Sequence, residues 1–267
     1  MVVFRRELKN YYKSFLIWVA VIAMFGMGKM SEFTTFVEGV HSKEEALAQF
    51  SSTIVTAMGM DKVDITNVLG YFSARVFSMI MLLGCVYAIM LAAIMLAKEE
   101  DDKTIEFLLS KPIVRSTIVT SKLLCVTFYL ALFNIIMFLA TVGTFQGLDA
   151  DGTYKVGTLA MLYVGSFIAN MTFALLGVFI STFISSAKTI YPLSIGIVLG
   201  EYMLTMLTNS SEKAEAIKYI NIFSYVDSAE VVNKNGLDAG HVLVLLVITA
   251  VFTVLTYVRY NTKDIAA

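Results

Sequence analysis

Apolar positions in this chain gather into six long runs, residues 15–30, 71–97, 123–145, 157–184, 190–207 and 241–257. Crossing the hydrocarbon of a bilayer as a helix takes about 20 mostly apolar residues. Backbone amides and carbonyls in lipid must be satisfied within the segment, so runs of this length are expected to be helices. A barrel would need short segments of alternating polarity, and the chain has none. The pattern predicts an all-α polytopic membrane protein, a single domain over residues 1–267 with about six transmembrane helices.

Arg5, Arg6, Lys9 and Lys13 precede the first run, as they would in a signal peptide. No small-residue cleavage site follows, because Met24-Phe25-Gly26-Met27-Gly28 leads into Lys29-Met30. The run is therefore expected to be retained as a span. Residues 2–12 mix those charges and Glu7 with Phe4, Leu8, Tyr11 and Tyr12, the make-up of an amphipathic helix lying at the membrane surface. The plainer alternative is a snorkelling flank of the first span. With both termini inside, the inner segments hold Arg5, Arg6, Lys9, Lys13, Lys98, Lys103, Lys111, Arg115, Lys122, Lys188, Arg259 and Lys263, which is 12 of the 20 basic residues. That bias favours cytoplasmic termini, in keeping with an even number of spans.

Composition narrows the chemistry. Hydrophobic residues make up 58% of the chain and charged residues 15%, with a mean hydropathy of +0.76. One soluble core could not hide so much apolar surface, so membrane lipid is an expected partner. A net charge of -1 offers no basic field for nucleic acid. Cys85 and Cys125 both fall inside apolar runs, which leaves no disulfide framework. His41 and His241 lie far apart, and neither has an acidic or cysteine cluster at metal-ligand spacing, so no metal site is expected.

Outside the spans, Ser42-Lys43-Glu44-Glu45 reads as a capping box, followed by Leu47, Phe50 and Ile54 on one face of a short outer helix. Residues 146–156 form a small outer loop with Gly147 and Gly152 as turn formers, and residues 209–240 form a larger outer segment that could re-enter the membrane. The inner loop over residues 98–122 has the strongest character. Glu99-Glu100-Asp101-Asp102 crowd the start of an expected helix, where they complement its dipole. Ile105, Leu108 and Leu109 share a face, and Pro112 stops the element. The acidic flank disfavours an anionic membrane surface, so a protein partner is expected to cover the apolar ridge.

That loop resembles the permease subunits of ABC-2-type exporters, also called type V ABC transporters. The likeness is carried by Glu99-Glu100, by Thr104-Ile105-Glu106-Phe107-Leu108-Leu109-Ser110-Lys111-Pro112 with Arg115, and by Lys122-Leu123. Gly70-Tyr71-Phe72-Ser73, Tyr87-Ala88-Ile89 and, more weakly, Phe223-Ser224-Tyr225-Val226-Asp227 extend it over nearly the whole chain. The chain departs from the family's pattern at Lys103, commonly glycine, and at Ile222, often proline. The resemblance implies a coupling helix between the second and third spans that seats on a cytoplasmic ABC ATPase subunit. Thr104, Ile105, Glu106, Phe107 and Leu108 would make the contact, with residues 185–189 around Ser186 as a smaller second one. It further implies a pair of permease chains, expected to be a homodimer, with two ATPase copies in a bacterial plasma membrane. Peptide exporters of the phenol-soluble-modulin or bacteriocin type are the nearest group, and antibiotic, lipid or ion export stays open. The 15 methionines suit an amphipathic cargo.

Catalytic signatures are missing from the sequence. Gly26-Met27-Gly28-Lys29 has Ala23 where a phosphate-binding loop needs its first glycine, so ATP and magnesium are expected on a separate subunit. After Asp101-Asp102 the matching position for a second magnesium carboxylate is Ile105. No serine, histidine and acid gather at one membrane face. A self-contained secondary transporter or channel is the competing class, and only Glu201 offers it a charged group at depth.

Four polar residues sit in the spans: Arg75, Asn134, Asn170 and Glu201. Glu201 is about 16 Å from the inner end of its run at 1.5 Å per residue, a depth Arg75 could approach from the second span. A pair between them is the expectation, with Glu201 in the substrate path as the alternative. Asn134 and Asn170 are expected to hold helices together, and Gly196 and Gly200, at Gly-x-x-x-Gly spacing, to form a close packing contact, within one chain or, the favoured reading, as a seam between two.

Overall fold

The structure is a computed structural model that describes residues 2–102, 114–148, 152, 154–184, 186–210 and 217–263. Among the described residues there is no strand. Six helices are long and apolar enough to cross a membrane, one for each apolar run. They are α1 (Val2–Glu38), α4 (Val68–Asp101), α5 (Arg115–Leu148), α6 (Val156–Ser181), α7 (Ala187–Ser210) and α9 (Ala239–Thr262). Short helices α2 (Lys43–Ala48), α3 (Ser52–Ala57) and α8 (Ser228–Lys234) join them at one end of the bundle. The fold is all-α and multi-pass, as the periodicity requires.

The amphipathic residues 2–12 are not a separate surface helix. They form the first turns of α1, which runs unbroken for 37 residues. No proline or glycine interrupts it before Gly26, and at 1.5 Å per residue it is about 55 Å long, well beyond a hydrocarbon core of about 30 Å. Its amphipathic start therefore projects past the lipid.

Burial is unequal. The apolar stretch of α4 is 83% buried, while that of α7 is 17% and that of α9 is 11% buried. α4 is the axis, wrapped chiefly by α6 and also by α5, α7 and α1. Gly177 on α6 lets the α4 backbone come close, since a Cβ there would sit 2.7 Å from the Ile89 carbonyl oxygen and from Ile89 Cγ1. Beside it, Asn170 on α6 packs on Gly84, and its Oδ1 accepts from Cys85 Sγ at 3.2 Å. Asn170 thus joins two helices as expected.

The connecting helices are set by side-chain caps. Ser42 accepts from the Glu45 amide, and the Glu45 carboxylate accepts from the His41 amide, so the expected box forms one residue further out. Its helix is shorter than expected, however: α2 stops at Ala48, and Ile54 lies exposed on α3, which Ser51 caps. Asn67 caps α4 through the Gly70 amide, and a Cβ on Gly70 would fall 1.9 Å from the Asp64 carbonyl oxygen. Asp238 caps α9; the amides of His241 and Gly240 hold its carboxyl below the usual range.

Replacing Gly177 with valine is expected to lower stability by about 1–3 kcal/mol through overpacking against Ile89. Gly196→Ala, where an added Cβ meets nothing within 4 Å, should leave the unfolding temperature of the detergent-solubilised protein unchanged. Equal unfolding temperatures for the two variants would refute the close approach.

Candidate functional site

The loop singled out by the sequence begins where α4 ends and ends where α5 begins. Residues 104–108, the expected ATPase contact, lie outside the described residues. Their two flanks are described, and they are tied together by charge.

Lys122, one helical turn and more into α5, is 3% exposed. Its Nζ donates to the Met95 carbonyl and to Glu99 Oε2 on α4. Glu7 on α1, 1% exposed, has its Oε1 3.9 Å from the same Nζ. Arg6 closes the group, donating to Glu7 Oε1 at 2.8 Å and to Glu99 Oε1 at 2.6 Å. Two cations and two carboxylates balance in one small volume. Buried charges persist only when paired in this way, so α1, α4 and α5 are locked at a single point. Next to it, Lys263 donates to Glu100 Oε2 at 2.6 Å, and its carbonyl accepts from Arg115 Nη1 at 2.8 Å. The end of α9 is drawn into the same layer, which puts the first turns of α1, the last turn of α9 and the 103–113 flanks at one end of the bundle.

Ser186 is at that end too. Its carbonyl accepts from the Thr189 and Ile190 amides, which starts α7. Ile190 is packed with Ala93 and Ala97 of α4, so the start of α7 lies against the end of α4 that leads into the 103–113 segment. The sequence places Lys122 among the inner basic residues and in the family resemblance, and Glu7 in an amphipathic surface segment, without bringing the two together. The usable signal was the set of oppositely charged residues at the inner ends of three adjacent spans.

The other end has a different chemistry. Arg75 and Glu201 do not pair. Arg75 Nη1 donates to Tyr71 Oη at 3.0 Å, and its guanidinium lies over the Phe36, Phe50 and Tyr71 rings at 5.9, 4.8 and 5.1 Å. Glu201 Oε2 instead accepts from the Ile222 amide at 3.0 Å. Asn221, beside it, donates to the Glu201 carbonyl at 3.2 Å and to Thr205 Oγ1 at 2.8 Å. Depth along a helix is readable from sequence, but the direction in which a side chain leaves the helix depends on packing. Here it turns Arg75 towards α1 and Glu201 towards the 3-10 turn Ile222–Val226. That turn is packed into the main core through Ile222, Phe223 and Val226, so residues 222–226 reach back among the helix ends.

Arg75 also sits in a π-helical turn, Phe72–Phe77, inside α4. The widened register leaves the Ser73 carbonyl to accept from Ser228 Oγ at 2.9 Å, at the head of α8. Adjoining this turn is a cavity of about 350 Å³ lined by Phe77 and Met81, by Tyr202 and Thr205 of α7, and by Lys62 and Asp227. Its mixed lining suits an amphipathic guest. Lys62 donates to Asn209 Oδ1 at 2.9 Å and stands 3.6 Å from Asp227, holding α7 to the short helices.

Asn134 does not join helices. Its Nδ2 donates to the Leu130 carbonyl of its own helix, and its Oδ1 has no partner. Gly196 and Gly200 meet no other part of the described chain, since a Cβ on either would have nothing within 4 Å. Among the described residues no group of acidic, thiol and imidazole side chains could hold a metal.

Lys122→Ala is expected to destabilise the protein by about 3–5 kcal/mol by leaving buried carboxylates without their cation. Glu99→Gln combined with Lys122→Met should cost clearly less, because the Arg6–Glu7 pair survives. Thermal unfolding of both variants in one detergent measures the difference; a larger loss in the double variant would contradict the assignment.

No curated protein matches the chain. A family model described as ABC-2 family transporter protein matches residues 1–265. That match covers the six spans, the charge-locked flanks of the 103–113 segment and the turn that Glu201 holds. The chain belongs to the ABC-2 family of transporter proteins.

Proposed function

We propose that this chain is the permease subunit of an ATP-driven exporter, itself without catalytic activity. A separate cytoplasmic ABC ATPase, in two copies, supplies ATP hydrolysis with its bound magnesium. The end carrying the Lys122 cluster is the cytoplasmic one, so both termini face the cytoplasm of a bacterial cell and the 209–240 segment faces out.

One observation carries the reading. The expected coupling segment springs from α4 and α5 at the point where Arg6, Glu7, Glu99 and Lys122 lock those helices to α1. A push on residues 104–108 by closing ATPase subunits therefore moves three spans together instead of flexing a linker. At the far end of α4 the moving helix carries the π turn and one wall of the 350 Å³ cavity. Motion at the ATPase face is thereby delivered to the outer face along one buried helix. Ser186 is the second, smaller contact. The cargo is an amphipathic molecule, a peptide being the best match to the mixed lining.

A proton-coupled carrier working alone fits less well. Glu201 already serves as acceptor for the Ile222 amide, and the described spans offer no second carboxylate at comparable depth.

The permease works as a homodimer, joined where Gly196 and Gly200 leave the α7 backbone open. A Gly196→Cys variant is expected to give a disulfide-linked dimer in membranes under mild oxidation, whereas cysteine at Gly177, sealed against α4, is not. A solely monomeric Gly196→Cys product would rule out this seam.

An ABC ATPase encoded beside the chain should co-purify with it. Glu106→Ala together with Leu108→Ala is expected to lower that recovery at least about tenfold while the unfolding temperature of the permease holds, an effect of about 1.4 kcal/mol or more. Undiminished recovery would sink the coupling assignment.

A further inference from the structure

Arg6, Lys122, Arg115 and Lys263 meet carboxylates or carbonyls at one end of the bundle. Three cations of α1 at that end do not. Arg5, Lys9 and Lys13 are exposed, and among the described residues they have no hydrogen bond or ion pair. At four-residue spacing they form one stripe along the helix. Tyr12, 47% exposed, lies beside Lys9 and Lys13 with its hydroxyl equally unengaged.

Nothing inside the bundle needs the stripe. An α-helix turns about 100° per residue, so Glu7 lies about 160° around α1 from Arg5 and Lys9, and about 120° from Lys13. The buried carboxylates of Glu7 and Glu99 are therefore on the far side of α1, where it packs on α4 and α5. Arg5 also stands in the first turn, at the positive end of the helix dipole, where a cation is unfavourable. Three unmatched positive charges call for an anion from outside the bundle.

The same face indicates what carries that anion. Beyond Lys13 it continues as Leu16, Ile17, Val21 and Met24, each more than half exposed, an apolar surface for acyl chains. Lys13 and Lys29 bracket this stretch, about 24 Å apart along the helix. Centred in a bilayer, the helix has Lys13 about 12 Å, Lys9 about 18 Å and Arg5 about 24 Å from the midplane. The headgroup layer runs from about 15 to about 22 Å. Lys9 is inside it, Lys13 reaches out to it by snorkelling, and Arg5 reaches back. A soluble anion would meet the charges but leave the apolar face bare, and an acidic protein would have to enter the headgroup layer to reach Lys13. A phospholipid meets both.

We propose that Arg5, Lys9 and Lys13, with the Tyr12 hydroxyl as a further donor, bind the phosphate of an anionic phospholipid whose acyl chains lie along residues 16–24 of α1. A zwitterionic headgroup brings its own ammonium group and so gains less from the three cations. The proposal goes beyond the exporter reading and needs only that α1 spans the bilayer.

The test titrates the full chain in a non-ionic detergent with dioleoyl phosphatidylglycerol or dioleoyl phosphatidylcholine and measures bound lipid by native mass spectrometry. A basic residue at an anionic surface strengthens binding about fivefold, so phosphatidylglycerol is expected to bind at least about tenfold tighter than phosphatidylcholine. Arg5→Gln combined with Lys9→Gln and Lys13→Gln is expected to abolish that preference. Lys188→Gln combined with Arg259→Gln, which removes two other basic residues of this end, should leave it. Unfolding temperatures report whether each variant is folded; should the triple variant fail, Lys9→Gln alone is expected to lower the preference about three- to fivefold. Equal binding of the two lipids, a preference that survives the triple variant, or one that falls as far in the Lys188 and Arg259 control would overturn the proposal. So would displacement of phosphatidylglycerol by inorganic phosphate at matched ionic strength, because the stripe would then be a site for the free anion.

Discussion

Lipid gives a helix little hydrophobic reason to prefer another helix over acyl chains, so a membrane bundle is held by how closely its backbones approach and how well its polar groups are met. In this chain that condition is fulfilled on α4. Its apolar stretch is 83% buried, and the contact with α6 is made through Gly177 on Ile89 and through Asn170 on Gly84 and Cys85. Each of these needs a small residue opposite a larger or polar one. With α4 and α6 fixed, α5 and α7 take their places on the flanks of α4, and α9 lies against α6. The outermost helices contribute mainly lipid-facing surface.

The two ends of that axis are stabilised by different physics, and the difference has mechanical meaning. At the α4 C-terminus, opposite charges converge from three helices, with Glu7, Glu99 and Lys122 buried and Arg6 partly exposed, and burial strengthens the Coulombic attraction. Such a junction transmits displacement stiffly. At the α4 N-terminus the contacts are a cation over three aromatic rings, a π turn and a set of capped short helices. Aromatic faces tolerate sliding, and a π turn is a local widening that a helix can move or relax. Under the proposed coupling, α4 would join a stiff junction at one end to a compliant one at the other.

The sequence made the spans legible because lipid demands long apolar runs whatever the packing, and all six appear. Caps were legible for a similar reason: Ser42 and Glu45 act over three residues, within reach of a local pattern. Relations between helices were not. Arg75 and Glu201 share a depth but leave their helices in different directions, towards α1 and towards Ile222. Asn134 and Asn170 look alike in sequence, yet Asn170 accepts from Cys85 on another helix, beside Gly84, whereas Asn134 donates within its own. Glu7 and Lys122 resembled snorkelling charges at span ends, and only the crossing of α1 over α4 and α5 puts them in contact. The π turn has no sequence signature in Phe72-Ser73-Ala74-Arg75-Val76-Phe77; it shows itself when the Ser73 carbonyl is taken by Ser228.

The burial of α4 bears on the proposal that one chain is half of a working unit. Among the described residues α4 fills the centre of the bundle, so in the proposed homodimer passage would run between α4-containing units and not through one of them. The glycines of α7 leave its backbone open to a second unit. α7 is also the helix that shares a wall of the outer cavity with α4, so a seam there would place two cavities on a common axis and double the surface available to the cargo.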